Sequence, residues 1–366
     1  MSPDQNLTPE VPARTTWPAP PPPPAQEPSI FFGRFGFRAG WGIAIFLIVV
    51  AILTVISGIA AIGATGHLKE VIAAQAQAKA HPNLPKPHLT IDFSPIFVIV
   101  SDGTLFFGML AYCWLIGRAE RRPLASYGIG KGRVADFIPG AIWGVVSMSC
   151  LVAILRSLHL LVFDSRALYG AAMFRWGAAW LLAFLLVGFC EEYEFRGYIQ
   201  YTLMRGVWGL GERIAPSNPH AAAFWTAATI MSLSFGGLHM LNGGENLFGI
   251  SQVFCIGMVF SYALWRTGSL WWGIGYHALW DWSQSFLFGV PDSGNVSAGR
   301  LFITHPTGKP LLSGGTDGPE GSLFAVIFVL LTILVIYLTT NPGPKPLPDQ
   351  KPSPDALPPE TYPAIA

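Results

Sequence analysis

Apolar runs dominate the chain, and their spacing predicts its elements. Eight segments stand out: residues 41–62, 95–116, 137–155, a fourth that begins near 176, then 222–241, 247–265, 270–290 and 323–338. Several approach the ~20 apolar residues that carry a helix across a bilayer core. The pattern predicts an all-α fold, a polytopic membrane helix bundle of about eight transmembrane helices. Between the first two segments, "HLKEVIAAQAQAKAH" predicts a short surface helix.

The ends read differently. Residues 1–35 contain "WPAPPPPPAQEP" and 341–366 contain "NPGPKPLPDQKPSPDALPPE". Both predict Pro-rich, disordered tails without an apolar period. The domain expected between them spans residues 36–340, with a functional core at about 95–290.

Composition agrees with the pattern. Hydrophobic residues make up 51% of the chain and charged residues 12%, about half the charge of a soluble domain. The net charge of +1 gives nucleic acid no electrostatic foothold. The four cysteines lie inside apolar segments without paired spacing, which reads as small apolar side chains.

Lys and Arg set the expected orientation. The loop "RAERRPLASYGIGKGR" after the second segment holds five of them, which predicts a cytoplasmic loop. Eight spans then put both termini in the cytoplasm of a cell (inner) membrane, multi-pass protein.

Ionisable residues inside spans are costly and mark function. They are few here: Asp102, then Glu191, Glu192, Glu194 and Arg196, then His239, then His277 and Asp281. Glu192 and Arg196 stand four apart in the favourable order for a helical ion pair. His277 and Asp281 also stand four apart, on one helix face. At about 1.5 Å rise per residue, Glu191, Glu192, His239, His277 and Asp281 all come out on the order of 20 Å from the cytoplasmic ends of their helices. Three polar helix faces at one level predict a shared cavity. Asp102 has no partner four residues on and reads as structural, and Glu194 as peripheral.

Two carboxylates side by side in a low-dielectric site repel, so one tends to hold a proton. With Arg196 holding Glu192 ionised, Glu191 becomes the candidate general base. A Glu with a His activates water, and a second His stabilises an oxyanion. These are parts of a peptide-bond hydrolase. Glu191, His239 and His277 also suit zinc, with water as the fourth ligand, and the residues alone leave both chemistries open. HExxH, GxSG and GxGD signatures are absent from the sequence.

"EEYEFRG", "FGGLH" and "HALWD" resemble the three motifs of the CPBP family: EExxxR, FxxxH and HxxxN/D. That family includes type II CAAX prenyl proteases and bacteriocin-processing, Abi-like membrane proteins. "RPLASYGI" resembles a further family feature. The resemblance implies that Glu191 and His239 activate water, that His277 and Asp281 form the oxyanion site, and that Arg196 positions Glu192. Asp281 stands where the eukaryotic proteases have Asn, which favours a metal-ligating or His-orienting role for it. The expected protein is an intramembrane endopeptidase, metalloprotease or glutamate-type, whose site opens to the cytoplasm. Its expected partners are the lipid bilayer and peptide or membrane-protein substrates. The rival expectation is a non-enzymatic immunity or scaffold protein that binds a partner through the same polar cluster.

Overall fold

A computed structural model describes residues 30–33, 35–81, 93–242, 244 and 246–345. Most of both Pro-rich tails lies outside the described residues. The elements run β1 Phe32–Gly33, β2 Gly36–Phe37, α1 Ala39–Ala64, α2 Leu68–Ala80, α3 Pro95–Glu120, α4 Phe137–Ser157, β3 Leu161–Arg166 and α5 Gly170–Glu192. They continue with α6 Gln200–Gly206, α7 Trp208–Ile214, α8 Pro219–His239, α9 Leu247–Thr267, α10 Trp271–Asp281, β4 Phe302–Pro306, α11 Pro310–Ser313 and α12 Ala325–Thr339. Two π-helical stretches, Tyr193–Ile199 and Trp282–Phe288, extend α5 and α10 without a break.

The fold is the expected all-α membrane bundle. All eight apolar segments are helical, and among the described residues six helices are long and apolar enough to cross a membrane. Ile48, Val55 and Phe107 each expose about 60% of their surface on α1 and α3, as lipid-facing side chains do. The two remaining segments fall short for different reasons. Helix α12 has only 15 residues. Helix α10 with its extension has no exposed residue, so it is enclosed by protein and needs no apolar coat against lipid.

Backbone contact holds α10 in the centre. A Cβ on Gly140 of α4 would overlap the Trp272 carbonyl, and one on Gly275 of α10 would overlap the Phe137 carbonyl. Small residues let membrane helices approach this closely. On the opposite side, Gly188 of α5 packs on Ile274 and Ala278. Helix α10 is thus clamped between α4 and the glutamate-bearing helix α5.

One end of the bundle gathers both ends of the described chain. Glu120 accepts hydrogen bonds from the Phe37 amide (2.9 Å), Arg122 (2.9 Å) and Arg205 (3.3 Å). Arg205 also donates to the carbonyls of Phe35 and Phe37. The β1–β2 hairpin therefore sits against α3 and α6, within residues assigned from sequence to the boundary of the N-terminal tail. Arg133 donates to the Asn341 carbonyl at 2.7 Å, and Arg266 to Thr340. The basic loop, the start of α1 and the end of α12 all share this end.

The other end is covered by loops. There β3 pairs antiparallel with β4, Leu161 opposite Pro306 and Arg166 opposite Phe302. Helix α2 is the predicted surface helix, with no buried residue.

Candidate active site

The α5 helix carries the glutamates to mid-helix, as the depth argument required. It runs through Glu192 into π-helical Tyr193–Ile199 and on through α6. The continuation of α10 past Asp281 is π-helical as well. Single π turns inside α-helices recur at functional sites, because the extra residue re-aims the side chains on either side.

Arg196 and Glu192 form the expected ion pair at 3.1 Å, both with side chains at most 1% exposed. The guanidinium lies over the rings of Phe235 (4.2 Å) and Phe260 (5.6 Å). Aromatic faces thus cover a charge that one carboxylate balances. The Glu192 oxygen that accepts from Arg196 also accepts from His277 Nδ1, at 3.1 Å. A carboxylate held ionised by arginine accepts only, so Nδ1 carries the hydrogen.

His277 Nε2 faces two further carboxylates. Glu191 Oε2 is 3.6 Å away and Asp281 Oδ2 is 3.5 Å away. Glu191 differs from Glu192 in exposure, at 32% of its side chain against 1%. It looks into the cavity while Glu192 is sealed behind His277. The two adjacent glutamates therefore have separate surroundings, as the helix geometry of neighbouring residues requires.

His239 is the last residue of α8. Its Nδ1 is 2.8 Å from the Phe235 carbonyl. A carbonyl can only accept, so Nδ1 donates and Nε2 is left as the free nitrogen. His239 borders a chamber of about 240 Å³ together with Glu191, His277 and Asp281. The structure thus joins Arg196, Glu192 and His277 by hydrogen bonds, sets Glu191 and Asp281 within ion-pair distance of His277, and places His239 across the same chamber. Among the described residues, no three His, Cys, Asp or Glu side chains are grouped so as to hold a metal ion. The arrangement therefore does not fit Glu191, His239 and His277 as a ready zinc triad.

Sequence reasoning missed several residues of the chamber. Asp102 of α3 faces into it with Glu191, and Ser101 Oγ donates to its Oδ2 at 2.7 Å. The absence of a partner at i+4 hid it. Asn242, Asp292, Ser293 and Asn295 join from loops, where no periodicity could signal them. Asp292 accepts from Ser285 Oγ at 2.8 Å, and Glu320 accepts from the Ser293 amide at 2.7 Å. Glu194 lines neither this chamber nor the slot beside it.

The chamber's mouth corrects one expectation. Its loop residues Phe93, Asn242, Ser293 and Asn295 all come from the end of the bundle away from the basic loop. Asp102 is seven residues into α3, about 10 Å from the helix start at that end. The sequence reading put both the termini and the mouth on the cytoplasmic side. The structure puts the ends of the described chain and the chamber's loop residues at opposite ends of the bundle. Helix α8 stops at His239, and Asn242 of the loop that follows lines the chamber.

Residues 173–283 match the family model for type II CAAX prenyl endopeptidase, Rce1-like. The resemblance read from the motifs is shown over this segment, which holds all three of them. It is narrower than the 95–290 expected, leaving out α1, α3, α4 and α12. No curated protein and no solved structure matches the chain.

Proposed function

We propose that this chain is an intramembrane endopeptidase that hydrolyses peptide bonds with a water activated by Glu191 and His239. The observation that carries the reading is the position of His277, within 3.6 Å of Glu191, Glu192 and Asp281 beside a chamber. A packing histidine needs one partner, and three carboxylates around one imidazole suit proton handling. The Rce1-like match supports a protease in general.

In this reading Glu191 takes a proton from a water that His239 Nε2 orients. The water oxygen attacks the scissile carbonyl. Doubly protonated His277 donates Nδ1–H to Glu192 and Nε2–H to the developing oxyanion. Collapse breaks the C–N bond, and the proton held by Glu191 passes to the leaving amine. Asp281, 3.5 Å from Nε2, orients the imidazole. Arg196 and Glu192 are positioning residues.

The proposed orientation has both termini in the cytoplasm of a cell membrane, from the basic loop. Substrates are peptides or membrane proteins. Cleavage of a broad peptide library by purified protein tests the reading, comparing wild type with Glu191→Ala and His239→Ala. Wild type should cleave at least 100-fold faster than either variant, in line with a general base worth ~10²–10⁴. Equal rates would leave the scaffold reading in its place. Stoichiometric zinc that disappears in His277→Ala would replace the side-chain mechanism by a metal one.

A further inference from the structure

A second, narrower cavity opens from the chamber and is not used by the chemistry above. It shares His239, His277, Asp281, Asp292 and Ser293 with the chamber, then runs between α9, α10 and α12. Its deep walls are Val253, Ile256, Phe260, Trp280, Ala325 and Val329. The residues it shares with the chamber are polar, so the slot opens onto the proposed reaction centre, and beyond them its lining is mostly apolar, with Gln252, Tyr276 and Glu320 as the polar exceptions.

Its size is informative. The free volume is about 90 Å³, room for on the order of three water molecules at about 30 Å³ each. Water inside would face mostly hydrocarbon. One side chain of valine, leucine or methionine size fills such a space. The long branched lipid of a prenylated cysteine does not.

Gln252 supplies the second observation. It lines the slot from α9, is 7% exposed, and makes no hydrogen bond among the described residues. Its amide is not sealed in the protein but reaches open space, so a group entering the slot can pair with it. It carries both a donor and an acceptor, the set that pairs with one peptide unit of an extended chain.

We infer that this slot is a substrate subsite that takes one medium-sized apolar side chain next to the scissile bond, with Gln252 hydrogen-bonded to the substrate backbone. The substrate class is an unmodified peptide segment with Val, Leu or Met at that position. This rests on the protease reading and goes beyond it by naming what the site selects.

The test uses the full chain in detergent with internally quenched peptides. Either residue flanking the cleaved bond is varied through Gly, Ala, Val, Leu, Met and Phe. At one of the two positions wild type should prefer Leu or Met over Gly by ~10-fold or more in kcat/KM, the discrimination an apolar pocket gives. Val329→Phe should bring that ratio close to one. Val329→Ala should shift the preference toward Phe, which keeps the test valid where the larger residue disturbs folding. Gln252→Ala should lower kcat/KM by a common factor of about ten for every peptide, leaving the ratios alone. A flat wild-type profile, or ratios that survive both Val329 variants, overturns the subsite while cleavage itself upholds the protease. Unchanged kcat/KM in Gln252→Ala removes the backbone contact. Wild type no faster than Glu191→Ala on every peptide takes down the protease reading, and the subsite with it.

Discussion

Oε1 of Glu192 lies 3.1 Å from Nδ1 of His277, and the same oxygen receives Arg196 at 3.1 Å. One buried carboxylate thus ties a guanidinium to an imidazole across two helices. Breaking a buried pair by removing one partner costs ~3–5 kcal/mol, because the other charge stays buried. Glu192→Gln should therefore lower thermal stability markedly in detergent. It should also lower kcat, since His277 loses the charged acceptor that holds its Nδ1–H and the ring in place. A melting curve and a cleavage assay on one preparation check both.

Glu191 should behave in the opposite way. It faces the chamber, with a third of its side chain exposed, and its nearest recorded partner is His277 at 3.6 Å. Glu191→Gln keeps the shape and removes the proposed base. Cleavage should fall by ~10²-fold or more, while the melting temperature stays within a few degrees of wild type. A large loss of stability in this variant would make Glu191 a structural residue.

The two glutamates also mark how far the sequence could be read. Pairs at i and i+4, Glu192 with Arg196 and His277 with Asp281, were legible because helix geometry alone puts them together. His239 was legible through its motif. Asp102, Asp292 and Glu320 were not, since their places follow from how α3 and the 291–322 loop fold onto the chamber. The β3–β4 pairing joins residues more than a hundred positions apart, with no turn signal between them. The depth estimate found a common level for the site but carried no information on which end the chamber opens to.

Close contact between α4 and α10 sets the position of His277. Gly140 and Gly275 have carbonyl oxygens where a Cβ would stand. Gly275→Ala must push the two helices apart, at ~1–3 kcal/mol for an overpacked core. His277 sits half a turn further on and would move with α10. Both stability and kcat should fall, and Gly275→Leu should be worse than Gly275→Ala in an unfolding titration.

The loop over the chamber should tighten in mild acid. Burial raises Asp292 to about 6, with the Ser285 hydroxyl partly opposing it. Burial likewise raises Asp317 to about 6, with Asn246 opposing. His277 also opposes the rise at Asp292 and Glu191 adds to it, while the Asp292 charge in turn acts on Glu320 of the same loop. These folded-state values lie above the ordinary 3.8. Between them the folded loop binds protons that the opened loop does not, so its stability rises as pH falls from about 7 to about 5. Hydrogen exchange across residues 291–322 should slow over that range. Faster exchange at the lower pH would contradict the assignment.

The last prediction concerns sides of the membrane. Phe37 and Asn341 are hydrogen-bonded to Glu120 and Arg133 at one end of the bundle, and the chamber's loop residues Asn242, Ser293 and Asn295 lie at the other. Single cysteines at Ser293 and near the C-terminus, in a background with the four native cysteines replaced, should therefore react with an impermeant thiol reagent from opposite faces of sealed vesicles. The basic loop sets the expected face for the termini as cytoplasmic, so Ser293→Cys should label from outside intact cells. Labelling of both positions from one face would overturn the bundle's end-to-end arrangement. Opposite faces with the C-terminus outside would keep the arrangement and reverse only the charge-based orientation, turning the chamber toward the cytoplasm.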